Sequence, residues 1–185
     1  MNLKIFRKKS PWILHYNTGS CNGCDIEILA CLAPKYDIER FGALNRGNPK
    51  QADIFLVTGP VTKRARERLI RLFMEIPEPK VVVAVGACAC TGGVFREMYN
   101  VENGVDKVIP VDVYVPGCAA RPEMIIDGIV KALEILEKKN KEIEFPRKCK
   151  CSEGLEGAEY LLGKQLNRRK LVLDGLRRCN EDRGD

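Results

Sequence analysis

Residues 80–95, KVVVAVGACACTGGVF, decide how this chain is read. From Val81 to Val85 every residue is apolar. That is the pattern of a strand buried on both faces and hence of a parallel sheet, whereas strict alternation would mark a strand with one wet face. Gly86 ends the run, and small residues then surround two cysteines, Cys88 and Cys90. The same grammar recurs on either side. Upstream, WILHY (12–16) reads as a strand, NTGSCNGC (17–24) as a loop, and 25–33 as a helix with Asp25 at its N-cap. DIFLVT (53–58) reads as another strand, broken by Gly59 and Pro60. A helix follows over 62–76 with Ala65, Leu69, Leu72, Phe73 and Ile76 on one side, stopped by Pro77 and Pro79. Downstream, VDVYV (111–115) is a further strand, and a long helix runs from Pro122 to about Lys139 with Ile125, Ile126, Ile129, Val130, Leu133 and Leu136 in one stripe. Alternating strands and helices predict an α/β fold, a parallel sheet with helices on both faces. After Asn140 the character changes: KEIEFPRKCKCSEG (141–154) reads as a linker and 158–178 as a peripheral helix. The expected organisation is a domain over 1–140 and a C-terminal extension over 141–185.

The 185 residues are 45% hydrophobic and 30% charged, enough for one domain with a core and too apolar for a disordered chain. No apolar run approaches the ~18 residues that a spanning helix needs, and the N-terminal apolar segment is too short for a signal peptide, so cytoplasmic chemistry is expected. The formal net charge is +6, with basic residues dense at Lys4, Arg7, Lys8 and Lys9 and between Lys138 and Lys150. Such charge suits a nucleic acid, an anionic membrane face or an acidic partner subunit, and the basic ends read first as solvated tails or subunit contacts. Aromatics are only 6% and form no ladder with basic residues, which argues against nucleic acid.

Nine cysteines in a chain without a secretory signal point to metal or redox chemistry before disulfides. Four share one structural address. Cys21 and Cys24 follow the first strand, Cys88 follows KVVVAVG, and Cys118 follows VDVYVPG. In an open parallel sheet, ligands bind beyond the carboxyl ends of the strands, so these loops meet at one edge. Glycines and alanines beside each cysteine let backbone N–H groups approach anionic sulfur, as an iron–sulfur centre requires. Zinc is the rival metal, but it usually takes paired C-x-x-C knuckles rather than one pair and two distant singles.

The segments TGSCNGCDIEIL, GACACTGGVF and VPGCAARPEMIIDGI resemble the three cluster-binding stretches of the small, electron-transferring subunit of nickel–iron hydrogenases and of the homologous 20 kDa subunit of respiratory complex I. The likeness runs from about Trp12 to Leu136. It implies a flavodoxin-like domain holding one 4Fe-4S cluster, proximal to a catalytic large subunit, with Cys21, Cys24, Cys88 and Cys118 as ligands. Three departures refine it. The spacing Cys21-x-x-Cys24 is hydrogenase-like, where complex I subunits have adjacent cysteines. Too few residues and cysteines follow Cys118 for the two further clusters of the soluble uptake enzymes, which resembles the short subunits of membrane-bound, energy-conserving group 4 hydrogenases. The third stretch reads PGCAA where the family commonly has PGCPP.

The resemblance therefore implies an electron relay in an ion-translocating oxidoreductase complex, reducing protons with ferredoxin electrons. The implied partners are a hydrogenase-like large subunit that holds the catalytic centre, a ferredoxin-like iron–sulfur subunit, and integral membrane subunits that keep this chain peripheral on the cytoplasmic face of the membrane. The alternatives are the same role in a polysulfide (sulfane sulfur) reductase or a complex I-like quinone oxidoreductase, and, in a different class, a zinc-stabilised scaffold. Cys31 reads as core, Cys90 as a non-ligand, and Cys149, Cys151 and Cys179 as ordinary thiols of the tail. His15, the single histidine, reads as packed or hydrogen-bonded rather than catalytic. Asp25 and Glu27 read as cap and helix surface, or as contacts near the cluster, and Arg121 as a counter-charge or a partner contact. No G-x-x-x-x-G-K-[ST] or G-x-G-x-x-G sequence supports a nucleotide site.

Overall fold

A computed structural model describes residues 10–144. The basic N-terminal residues, the leucine-patterned segment 158–178 and the cysteines at 149, 151 and 179 lie outside the described residues. Within them, strands β1 (Trp12–Asn17), β2 (Leu44–Asn45), β3 (Ile54–Thr58), β5 (Val81–Val85) and β7 (Val113–Val115) form a five-stranded sheet in the order β2-β1-β3-β5-β7, and every pair is parallel. Renumbered within the sheet this is 2-1-3-4-5, the flavodoxin-like order, and the direction of winding reverses between β1 and β3. Strands β4 (Val61–Thr62) and β6 (Val101–Glu102) make a separate antiparallel pair.

The apolar run that led the reading is buried throughout: Val81 to Val85 are at most 1% exposed, and all of β3 is buried. Because successive side chains of a strand point to opposite faces, Ile13, Ile54, Leu56, Val81, Val83, Val85, Val113 and Val115 share one face. They form a single core with Ile28 and Cys31 of α1 (Gly23–Leu32) and with Ile125, Ile129, Ala132 and Leu136 of α4 (Pro122–Glu144). The opposite set, which includes Leu14, Phe55, Val57, Val82 and Ala84, is equally buried, as are Leu69, Ile70 and Phe73 of α2 (Lys63–Glu75).

The ends of α2 follow simple chemistry. Thr62 caps it, its hydroxyl accepting from the Ala65 N–H at 3.3 Å. At the other end the buried Lys80 donates to the Phe73 and Ile76 carbonyls, placing a cation at the negative end of the helix. Arg66, on the buried side of α2, pairs with Glu102 of β6 at 3.2 Å, so α2 turns a charged residue inward where the apolar pattern predicted only hydrophobic ones.

Three boundaries differ from the sequence reading. Helix α1 begins at Gly23 with Asn22 at its N-cap, so Asp25 stands inside the first turn and is not the cap. Helix α4 continues to Glu144, past its expected end near Lys139, since nothing before Pro146 breaks it. Cys88 lies on a short helix, α3 (Ala87–Thr91), rather than in open loop.

Candidate functional site

The sheet brings the three cysteine-bearing segments to one edge, because β1, β5 and β7 are parallel and each segment leaves a carboxyl end. Close contacts join them pairwise. The Gly86 N–H donates to the Val115 carbonyl and the Ala87 N–H to the Gly117 carbonyl, both at 2.8 Å, which binds the second segment to the third. A Cβ placed on Gly86 would stand 2.6 Å from Cys24 Sγ, and one on Gly23 would stand 3.5 Å from both Cys21 Sγ and the Ala119 methyl. The first segment thus rests against the other two. Gly86 also has φ +90°, so this position asks for glycine twice, by backbone angle and by the approach of sulfur.

Cys21 and Cys118 are exposed, whereas Cys24 and Cys88 are half-buried. Burial pushes the Cys24 thiol up most, the Ala120 backbone N–H pulls it partly back, and negative charge at Asp25, Cys21 and Cys118 raises it further. Cys88 is raised by burial and then by charge at Cys118, Cys21 and Cys24. Cys88 feels the other three cysteines and Cys24 feels Cys21 and Cys118, so the four belong to one electrostatic neighbourhood. In the absence of a cation Cys24 and Cys88 are favoured as thiols, and a metal centre would supply the positive charge that lets them ionise.

The other described cysteines stand apart. Cys31 is 1% exposed, and its thiol donates to the Pro122 carbonyl. The Cys90 thiol faces back into the sheet, within reach of the Ala84 and Val115 carbonyls, and burial pushes it up to about 11. Its sulfur is thus engaged with backbone carbonyls, although the charges of Cys24 and Cys88 still reach it. No three His, Cys, Asp or Glu side chains among the described residues converge as they would on a single ion. The sulfurs of a tetrahedral zinc would stand ~3.8 Å apart at normal Zn–S lengths. A larger multinuclear cluster needs its thiolates spread around a rim, and glycine backbone at Gly86 and Gly93 approaches Cys24 and Cys88 where a side chain would fill the cradle.

Beneath the first segment lies a polar network that sequence reading did not find as a unit. Asn17 Oδ1 accepts the Gly19 and Ser20 N–H groups at 2.7 and 2.8 Å, and the Asn22 N–H donates to Ser20 Oγ at 3.0 Å. The Thr18 hydroxyl meets the Thr58, Gly59 and Pro60 carbonyls, and its own carbonyl accepts from Thr62. Asp25 sits at the centre, 2.7 Å from His15 Nε2 and 2.6 Å from the Thr58 hydroxyl. Burial works to raise the Asp25 carboxyl, but hydrogen bonds from Ser20 and Thr58 and the nearby His15 outweigh it and hold the group below its ordinary range. His15 is hydrogen-bonded, as expected. The signal that could have exposed this one is the set of polar residues at the ends of two apolar strands, His15, Asn17 and Thr58.

A doubly wound α/β domain whose sheet edge brings together three glycine-rich segments bearing four cysteines has the form of a redox-protein domain. The chain belongs to the family described as NADH ubiquinone oxidoreductase, 20 Kd subunit, whose model matches residues 21–132. This is a family of oxidoreductase-complex subunits with iron–sulfur members. The chain is 54% identical to the probable membrane-bound hydrogenase subunit mbhJ of Pyrococcus furiosus, over 72% of this chain and 80% of that one. It is also similar to a chain in the solved structure of the membrane-bound sulfane sulfur reductase, an archaeal respiratory membrane complex, at 42% identity and a TM-score of 0.64, covering 74% of this chain and 75% of the other. The NAD+-reducing [NiFe]-hydrogenase shares the fold at 20% identity and a TM-score of 0.55, covering 68% of this chain and 92% of the matched one.

Proposed function

We propose that Cys21, Cys24, Cys88 and Cys118 hold one 4Fe-4S cluster and that the chain is the proximal electron relay of a membrane-bound, ion-translocating oxidoreductase complex. The observation that carries this reading is the meeting of the three cysteine-bearing segments at one sheet edge, with the Cys31 and Cys90 thiols directed at backbone carbonyls. When bound, such a cluster supplies a one-electron carrier. The chain's own residues do the rest. Parallel strands fix the spacing of the three segments, glycines admit the backbone beside the sulfurs, and the partial burial of Cys24 and Cys88 keeps water from half of the rim.

The leading form of the complex is a group 4 nickel–iron hydrogenase that reduces protons with ferredoxin electrons, the catalytic centre lying on a large partner subunit. A ferredoxin-like subunit feeds the relay, and integral membrane subunits hold it at the cytoplasmic face. No helix among the described residues is long and apolar enough to cross a membrane. Apolar residues suited to a partner are exposed beside the site: Ile26 and Leu29 on α1, at 63% and 61%, and Val94, Met98 and Tyr99 after Cys88. The similarity to the sulfane sulfur reductase supports a second reading, the same relay with polysulfide as the final acceptor. The spacing Cys21-x-x-Cys24 disfavours the quinone-linked form.

Metal analysis separates these readings. The native complex, purified anaerobically through a tag on this chain, is assayed for nickel, iron, zinc and acid-labile sulfide. Stoichiometric nickel with abundant iron and sulfide is expected for the hydrogenase. Iron and sulfide without nickel would move the assignment to the sulfur-reducing or quinone-linked branch, and zinc without sulfide would overturn the relay.

A further inference from the structure

Asp25 follows Cys24 directly, and Ser20 directly precedes Cys21, so these two residues bracket the C-x-x-C pair. In the fold they bond to each other: the Ser20 hydroxyl donates to Asp25 Oδ2, closing the base of the cysteine loop. The same oxygen accepts from Asn17 Nδ2 at 2.9 Å. The other oxygen, Oδ1, accepts from Thr58 Oγ1 at 2.6 Å and from His15 Nε2 at 2.7 Å. Four donors converge on one carboxylate whose side chain is only 13% exposed. An acidic residue in a first helical turn is favourable by itself, yet that accounts neither for the burial nor for a donor from a strand 33 residues away.

The donors come from particular places. His15 and Asn17 are two apart on β1 and so share a face, and Asn17 is the register partner of Thr58 at the tip of β3. Strands β1 and β3 flank the point where the winding of the sheet reverses. The bonds therefore join the cysteine loop to both walls of that crevice. Charge-assisted bonds of this kind are short and directional, which suits them to fixing a loop.

We propose that Asp25 is a positioning residue, a clasp that closes the Cys21–Cys24 loop through Ser20 and fastens it to the sheet through Thr58 and His15. This rests on the four-cysteine site proposed above. Asp25 touches no cluster atom in this account; it acts through the backbone of Cys24 and through Ser20.

Three variants in the full complex test it, read by the electron paramagnetic resonance spectrum of the reduced enzyme and by iron loss to a chelator. Asp25→Asn keeps the shape but sets an amide donor against existing donors. Thr58→Val removes one bond from the far end of the clasp without changing charge, and Thr58→Ser keeps that bond. The first two are expected to shift the spectrum of one cluster and to lose its iron roughly tenfold more readily, in line with other residues that orient metal ligands. Thr58→Ser is expected to restore the wild-type spectrum. Wild-type behaviour of Asp25→Asn, or a Thr58→Ser as damaged as Thr58→Val, would overturn the clasp. If Asp25→Asn yields no complex, the two Thr58 variants decide alone. A wild-type complex without iron and sulfide would instead end the cluster reading itself, so the two failures are distinguishable.

Discussion

Cys31 shows how one side chain couples the core to pH. It is buried against α4, donating to the Pro122 carbonyl, and burial first, then the negative charge of Glu27 and Glu123, push its thiol from the ordinary 9.0 up to about 11. The folded chain thus holds this proton more tightly than the unfolded chain. Its contribution to stability is fully present below about pH 9 and is lost as pH rises toward about 11, where the unfolded state ionises first. Urea unfolding midpoints should therefore fall over that window, and they should fall less in Cys31→Ala, whatever that variant loses in packing at pH 8. Equal slopes in the two proteins would refute the assignment. The place of Cys31 in the core was legible from its helical position among apolar residues. That Cys90 faces the Ala84 and Val115 carbonyls was not, because its direction depends on how α3 starts after Gly86, a matter of backbone angle.

At the scale of elements, α4 and β7 meet at Gly128. A methyl group there would run into Val115 Cγ2. Helix propensity alone says Gly128→Ala should gain ~1 kcal/mol, whereas overpacking a tight core typically costs ~1–3 kcal/mol. Val115 is β-branched, 2% exposed and held in a strand, so it has little freedom to move aside, and the clash wins. Gly128→Ala is expected to lower the thermal midpoint by a few degrees, about what a 1 kcal/mol loss does in a domain of this size. A raised midpoint would show that propensity prevailed. The major strands and helices were readable because each is a long run of one period. Strands β2, β4 and β6 were not, since two residues each carry no period, and their pairing is decided by neighbours distant in sequence. Asp25 was misread as a cap for a related reason: an acidic residue near a helix start fits that role locally, and only the approach of β3 offers it a better set of donors.

For the whole molecule, one sheet direction does most of the organising. Parallel strands place every strand-to-helix segment at the same edge, which is why cysteines separated by nearly the length of the domain become neighbours. That much follows from the apolar runs and was legible in the sequence. The contacts at Gly86 and Gly23 that draw the three segments together depend on where backbone and sulfur meet, which spacing alone does not encode. The proposed cluster site takes four of the six described cysteines and leaves out two. Its most direct test is the electron paramagnetic resonance spectrum of the reduced complex, recorded with single serine variants of all six. Replacing Cys21, Cys24, Cys88 or Cys118 is predicted to abolish or alter the same cluster signal, while Cys31→Ser and Cys90→Ser leave it unchanged. A Cys88→Ser complex with an unaltered spectrum and full iron and sulfide would contradict the account.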